Sequence, residues 1–297
     1  MKPLIVSIKR NSLDDGPGIR TVLFFKGCPL ACIWCQNPET KSTAQEILFE
    51  KNNCLDCREC GKICDLGAID FSTPYRIDRE LCNLCGDCIA VCKGEALTFA
   101  GKEYSIDELL EIILKDTPFY DNSGGGITLT GGEPTFHMNY LRELLEKVKE
   151  HEIHVCLETC GYFKYDAFKE KILDKIDLIY FDLKIYDEKN HKTYCKVSNQ
   201  IILKNFELLL KEDSIEILPR IPLIPDVTST TENLQKLADY LKSLKINDVG
   251  LLPYNPLWIS KTEALGIKAE YTRSKWMTNK EKKIIKEIFS DFKFRDF

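Results

Sequence analysis

The 297-residue sequence predicts an α/β protein: an open, partial barrel of about six parallel strands, (β/α)6 in outline, with a small cysteine-rich α+β unit inserted near the N-terminus. Two patterns carry this expectation. Short β-rich apolar runs alternate with stretches of helical period, which is how parallel βα units are written. Eleven of the 14 cysteines fall between Cys28 and Cys92 at fixed short spacings. Composition bounds the class: with 44% hydrophobic and 29% charged residues the chain can bury a large core and does not read as disordered.

The strand-like runs lie at residues 19–25, 126–130, 153–157, 178–181, 215–218 and 249–252. Helical period fills the spaces between them, clearly so at 140–150 and 199–211. Six strands are too few for a closed eight-stranded barrel, hence the partial one. In such folds function gathers at the C-terminal ends of the strands. Polar motifs stand there in succession: Gly131-Gly132-Glu133-Pro134, Glu158-Thr159, Asp182-Leu183-Lys184, and Arg220 just past the fifth run. One such motif is weak; four in a row predict a shared site.

Lys and Arg number 41 against 46 Asp and Glu, a net charge of -5 that gives no reason to expect nucleic acid or an anionic membrane as partner. The apolar run at the N-terminus is too short for a signal peptide, and no uncharged stretch is long enough to span a bilayer. The expectation is a cytoplasmic protein whose thiols stay reduced, which disfavours a disulfide framework and favours metal ligation.

The cysteines form two sets. Cys54, Cys57, Cys60 and Cys64, then Cys82, Cys85, Cys88 and Cys92, each read C-x2-C-x2-C-x3-C followed by a small apolar β signal. This is the ferredoxin-type run in which the fourth cysteine serves the other cluster. Cys54, Cys57, Cys60 and Cys92 are expected to hold one iron–sulfur cube, and Cys82, Cys85, Cys88 and Cys64 the other. The proline usual after the fourth cysteine is replaced by Asp65 and Lys93. Zinc is the runner-up metal. The second set, Cys28, Cys32 and Cys35, is C-x3-C-x2-C directly after a strand. Three thiolates can hold three irons of a cube and leave the fourth open, and no further cysteine follows before Cys54.

At this point the sequence resembles the radical S-adenosylmethionine (SAM) superfamily, and more narrowly the activating enzymes of glycyl radical enzymes that carry an inserted ferredoxin-like domain. The resemblance rests on Asp15-Gly16-Pro17-Gly18-Ile19-Arg20, on Gly27-Cys28 with its loop, on Cys35-Gln36-Asn37-Pro38, and on the eight-cysteine insert. Gly131-Gly132-Glu133-Pro134, Glu158-Thr159-Cys160-Gly161, Tyr180-Phe181-Asp182-Leu183-Lys184 and Leu251-Leu252-Pro253-Tyr254 extend it along nearly the whole chain. It implies a radical SAM barrel over residues 1–45 and 101–297, with residues 46–100 as the insert.

The resemblance also implies an oxidoreductase that works without oxygen. S-adenosylmethionine would chelate the open iron, be cleaved reductively, and yield a 5′-deoxyadenosyl radical that takes a hydrogen atom from a backbone glycine of a partner enzyme. No side chain would be catalytic in itself. The implied cofactors are three 4Fe-4S clusters, S-adenosylmethionine and a monovalent cation; the implied partners are a glycyl radical enzyme and a flavodoxin or ferredoxin as electron donor. By residue, Gly131, Gly132 and Glu133 would take the methionine ammonium. Lys184 and Arg220 would face its carboxylate, Trp34 and Asn37 the adenine, and Asn255 the ribose or adenine. Glu158, Thr159 and Asp182 would bind the cation, and Asp15, Gly16, Pro17 and Gly18 would meet the target peptide. The alternatives are a radical SAM enzyme acting on a small molecule, and an electron-transfer ferredoxin fused to a scaffold.

Other residues read more plainly. Cys156 belongs to a buried strand, and Cys160 and Cys195 are assigned structural roles. None of the four histidines has ligand spacing. Residues 280–286 read as a solvated helix face. Trp258 and Trp276 are expected to pack or to meet a partner.

Overall fold

A computed structural model describes residues 2–295. The strands are β1 Leu4–Ser12, β2 Arg20–Phe25, β3 Ile47–Phe49, β4 Leu97–Phe99, β5 Lys102–Glu103, β6 Gly126–Gly131, β7 His154–Thr159, β8 Leu178–Asp182, β9 Glu216–Leu223, β10 Asp248–Pro253 and β11 Lys293–Arg295. Nine of them make one sheet in the order β11-β10-β9-β8-β7-β6-β2-β1-β5, while β3 and β4 pair separately. The six runs expected from the sequence are β2 and β6 to β10, and each pairs in parallel with the next. Their near-continuous burial suits strands covered on both faces.

Three marginal strands were not expected. The strand β1 lies antiparallel on β2, β5 lies antiparallel on β1, and β11 extends β10 in parallel. The edge strands β5 and β11 are short and charged (β11 is Lys-Phe-Arg and β5 has two residues), and β1 is half-solvated over most of its length, so periodicity has little to act on.

Helices cover the outer face. Met138–Lys149 buries Leu141, Leu144, Leu145 and Val148, and Gln200–Leu209 buries Ile202, Phe206 and Leu209, both within two residues of the expected bounds. Asn279–Ile288 opens on a capping box between Thr278 and Glu281 and sinks Ile285 while its lysines face outward, as expected. Trp258 is buried and donates from Nε1 to Tyr254 Oη at 3.1 Å, whereas Trp276 is exposed.

Strand alternation sorts the inner face into layers. Cys156, Leu178, Tyr180 and Leu218 form a small apolar cluster. Two residues further along the same strands stand Glu158, Tyr180 and Asp182, and Arg220, so the cluster is the floor beneath the polar residues. Cys156 is the fully buried core residue that was expected, and burial pushes its thiol up to about 12.

The segment between β3 and β4 has its own core of Ile47, Phe49, Ile77, Cys88, Ala96 and Leu97. Its sequence repeat is also a backbone repeat. Asp56 and Leu84, Arg58 and Gly86, and Gly67 and Glu95 take left-handed φ at matching positions. The short helices Glu59–Ile63 and Asp87–Ala90 follow Arg58 and Gly86. The amides of Ala68 and Ala96 donate to Cys64 Sγ and Cys92 Sγ at 3.3 and 3.2 Å.

Candidate active site

The strand β2 runs out through Lys26 and Gly27 into Cys28, and the cysteine loop is pinned from two sides. Gly27 N donates to Thr40 O at 2.7 Å and Cys28 N to Lys41 O at 3.0 Å. Opposite, Ala31 N and Ile33 N donate to the carbonyls of Cys195 and Tyr194, each at 3.1 Å, at the end of helix Glu188–Cys195. Lys26 is buried beneath the loop and donates to Glu46 Oε2 and Glu39 O, both at 2.6 Å. Burial pushes the Cys35 thiol up to about 12. Metal binding here would release protons.

Beside the loop lies a cavity of about 450 Å³, open at the C-terminal ends of the parallel strands. Phe24, Thr130, Glu158, Asp182, Arg220 and Leu252, one from each of the six strands, all line it. A flat sheet would spread six strands over roughly 24 Å, so the sheet must curl to bring them to one cavity. Of the sequence-predicted residues, Cys28, Cys32, Cys35, Trp34, Asn37, Gly131, Gly132, Thr159, Lys184, Asn255 and Asp15 line it as well. Glu133, Gly16, Pro17 and Gly18 do not.

Glu133 is the clearest departure. Its carboxylate is fully buried, and both of its oxygens are hydrogen-bonded within the protein. Oε1 accepts from Thr135 N at 3.2 Å, Thr135 Oγ1 at 2.7 Å and Thr159 Oγ1 at 2.9 Å, and Oε2 accepts from Cys160 N at 2.7 Å. It braces the turn after β6 against the turn after β7, and it does not line the cavity. The adjacent glycines are needed for packing as well as access. A Cβ on Gly131 would strike the Phe25 backbone, and one on Gly132 would strike the Gly27 carbonyl.

The charged residues, expected to divide between a carboxylate and a cation, form one network instead. Arg220 donates from Nη1 to Glu158 Oε1 at 2.5 Å, and from Nε and Nη2 to Asp182 Oδ1 at 3.1 and 3.0 Å. Lys184 Nζ donates to Asp182 Oδ2 at 2.9 Å, and Thr130 Oγ1 to Glu158 Oε2 at 2.6 Å. The guanidinium also lies over the Tyr180 ring at 4.8 Å. Burial works against the charges of Asp182, Lys184 and Arg220. Even so, Lys184 and Arg220 hold the Asp182 pKa below its usual range, and the acids hold both cations above theirs. Two cations and two carboxylates make the quartet formally neutral.

The turn at 15–18 is held from beneath by Arg20, which is completely buried. Arg20 donates from Nη1 to Pro17 O at 2.9 Å and from Nε to Thr128 Oγ1 at 2.6 Å, and Thr128 Oγ1 donates to Asp15 O at 2.6 Å. Gly16 and Gly18 have positive φ, and a Cβ there would meet Arg20 and Gly125. Only Asp15 of this motif reaches the cavity.

Sequence reading missed three neighbours of the loop. Cys160 lines the same cavity as Cys28, Cys32 and Cys35. Cys195, fully buried, accepts at its main-chain carbonyl from Ala31 N, next to Cys32 in the loop. In space, therefore, a fourth cysteine does stand near the triad. Lys261 donates to Asn37 Oδ1 at 2.8 Å and to Glu39 Oε1 at 2.9 Å. None of these carries a sequence signal, because each arrives from a remote strand end or helix.

In the insert, Cys64, Cys82, Cys85 and Cys88 line one cavity, of about 220 Å³, and Cys54, Cys57, Cys60 and Cys92 line another. The crossed grouping is the one expected from the repeat. At roughly 30 Å³ per water, the first space is far larger than a single ion, and four thiols around it fit a multi-iron cluster.

Residues 22–241 match the family model described as the radical SAM superfamily. The trans-4-hydroxy-L-proline dehydratase activating enzyme of Clostridioides difficile is 37% identical over 99% of this chain and 98% of its own length. The 4-hydroxyphenylacetate decarboxylase activating enzyme of Clostridium scatologenes is 36% identical over 98% of this chain and 95% of its own. Among solved structures, a domain of the pyruvate-formate lyase-activating enzyme of Bacteroides vulgatus is 26% identical, with a TM-score of 0.48, over 59% of this chain and 99% of that domain.

Proposed function

The chain belongs to the radical SAM superfamily and, within it, to the activating enzymes of glycyl radical enzymes, and from that membership we propose how its residues divide the work. Residues 1–45 and 101–297 form the partial (β/α)6 barrel, and residues 46–100 are a ferredoxin-like domain. Cys28, Cys32 and Cys35 hold one 4Fe-4S cluster, and the two crossed cysteine sets hold two more. Held by Cys28, Cys32 and Cys35, the first cluster would supply the electron that cleaves S-adenosylmethionine reductively, the chemistry through which an activating enzyme would take hydrogen from a backbone glycine of its partner.

The observation that carries the reading is the neutral quartet of Glu158, Asp182, Lys184 and Arg220 in the same cavity as the three cysteines. The amino-acid end of S-adenosylmethionine is itself a zwitterion. Its carboxylate can displace an acid from Lys184 and Arg220, and its ammonium can face the acid set free, with no change in net charge. The same exchange leaves Glu158, Thr159 and Asp182 able to take a monovalent cation. Glu133 then acts by holding the Gly131-Gly132 backbone against the cavity, while Trp34, Asn37 and Asn255 take the nucleoside. Asp15, at the rim, marks where the turn that includes Gly16, Pro17 and Gly18 meets the incoming glycine loop.

The insert clusters relay electrons from a flavodoxin or ferredoxin, in a cytoplasmic setting. Anaerobic reconstitution tests the whole reading: about twelve irons per chain are expected from three four-iron clusters, with 5′-deoxyadenosine released under strong reductant. A glycine-centred electron paramagnetic resonance signal is expected on a partner encoded nearby. Zinc in place of iron, or an intact sulfonium, overturns it. The relay fails separately if a Cys54→Ala, Cys57→Ala protein is still activated at the wild-type rate by a physiological donor.

A further inference from the structure

Asn37 stands at the end of the cysteine loop with its main chain fixed. Its carbonyl accepts from Thr40 N at 2.9 Å and from Thr40 Oγ1 at 2.7 Å, and the residue lines the cavity. Its side chain is fixed from outside by Lys261, which lies in the helix Ile259–Ala264 and bridges Asn37 Oδ1 to Glu39 Oε1. Ordinarily the two ends of an amide are hard to tell apart, but the chemistry decides here. An ammonium offers three donors and no acceptor, so only the amide oxygen can face it. The NH2 group of Asn37 is thereby left over, with no protein acceptor among the described residues.

Asn255, also on the cavity, is in a parallel position: its Oδ1 accepts from Leu257 N at 2.9 Å as the cap of a short turn. Both amides at this end of the cavity thus have their acceptor atoms engaged and their donors spare. Lys261 can impose this polarity because Glu39 fixes it in turn; the Glu39 side chain is only 13% exposed.

We propose that Lys261 is a positioning residue that locks Asn37 as a hydrogen-bond donor toward the cavity, so that the nucleobase there is recognised through a ring-nitrogen acceptor. The inference rests on the S-adenosylmethionine reading of the cavity and adds how the base is told apart. Lys261 touches no ligand and acts through Asn37. With the lysine removed, the Asn37 amide is free to turn, and its preference for an acceptor is lost.

The test is binding of S-adenosylhomocysteine, which lacks the sulfonium, and of its 1-deaza, 3-deaza and 7-deaza analogues to the reconstituted protein, followed by calorimetry. For the wild type, one deaza analogue is expected to bind about tenfold more weakly than the parent, the size of one lost hydrogen bond. In Lys261→Met that gap should fall to within about threefold, and in Lys261→Arg, which restores a cationic donor, it should return. A general structural defect would weaken all four ligands together and leave the gap in place. Equal binding of all three analogues and the parent to the wild type, or a gap that survives in Lys261→Met, overturns the inference alone. A wild-type protein that binds no S-adenosylhomocysteine overturns the cofactor reading beneath it.

Discussion

The barrel and the insert present cysteines in different settings. At the barrel mouth Cys32 is 7% exposed, its loop is tied by backbone hydrogen bonds to residues 40–41 and to the end of helix Glu188–Cys195, and the main hydrophobic core of the chain lies behind it. In the insert Cys57 and Cys85 are exposed, and the core behind all eight cysteines is six buried residues, one of them Cys88. A loop pinned to a large core is preorganised before any metal arrives. A segment with so small a core would draw its stability from ligation under the proposed reading. The barrel would therefore keep its shape without its metal, and the insert would not.

Stripping iron should separate the two regions most sharply. Hydrogen exchange is expected to show loss of protection across residues 47–99 with strands β6 to β9 still protected; equal protection in both regions would erase the contrast. Next in size is the comparison of Cys28→Ala with Cys160→Ala. The first should lower 5′-deoxyadenosine release to background. The second, which removes only a neighbour of the ligand set, should stay within about tenfold of wild type. If Cys160→Ala loses iron from the loop as Cys28→Ala does, the cube has four cysteine ligands and no open corner.

Within the barrel, Arg220→Ala leaves Glu158 and Asp182 facing each other in a buried site, and about 3–5 kcal/mol of stability should be lost in denaturant unfolding. A loss under 1 kcal/mol would mean that the quartet is already solvent-screened. The smallest effect belongs to the periphery. Glu281 is held at about 2 by Arg273, at 2.8 and 2.9 Å, and by its bonds to Thr278. Its folded pKa lies below the unfolded value of about 4.3. The contribution is therefore complete above about pH 4.3 and fades as pH falls toward 2. The gap between wild type and Glu281→Gln, at most about 1 kcal/mol at this exposed site, should be constant from pH 7 to 5 and shrink by pH 3.

All six inner strands and the helices at 140–150 and 199–211 were legible because each is a local periodic signal, and the two cysteine groups that line separate cavities were legible as a repeat. The marginal strands β1, β5 and β11 were not, since half-solvated edges carry little hydrophobic pattern. The site was legible as a list of residues but not as a set of pairings. Lys184 and Arg220 were recognised as cations and Asp182 and Glu158 as acids, yet nothing in the sequence said that they satisfy one another.

The sequence by itself determined most of the side chains that reach the mouth of the barrel, because parity along a strand and position at its end are properties of a few consecutive residues. Only the tertiary structure decided what each of them does there. Glu133 is bonded as a brace between two turns, Cys160 and Cys195 came to rest beside the Cys28–Cys35 loop, and Lys261 reached Asn37 from 224 residues away. The reason is geometric: a curled sheet brings six strand ends to one cavity, and partners chosen there depend on which strands are neighbours rather than on which residues are adjacent in the chain.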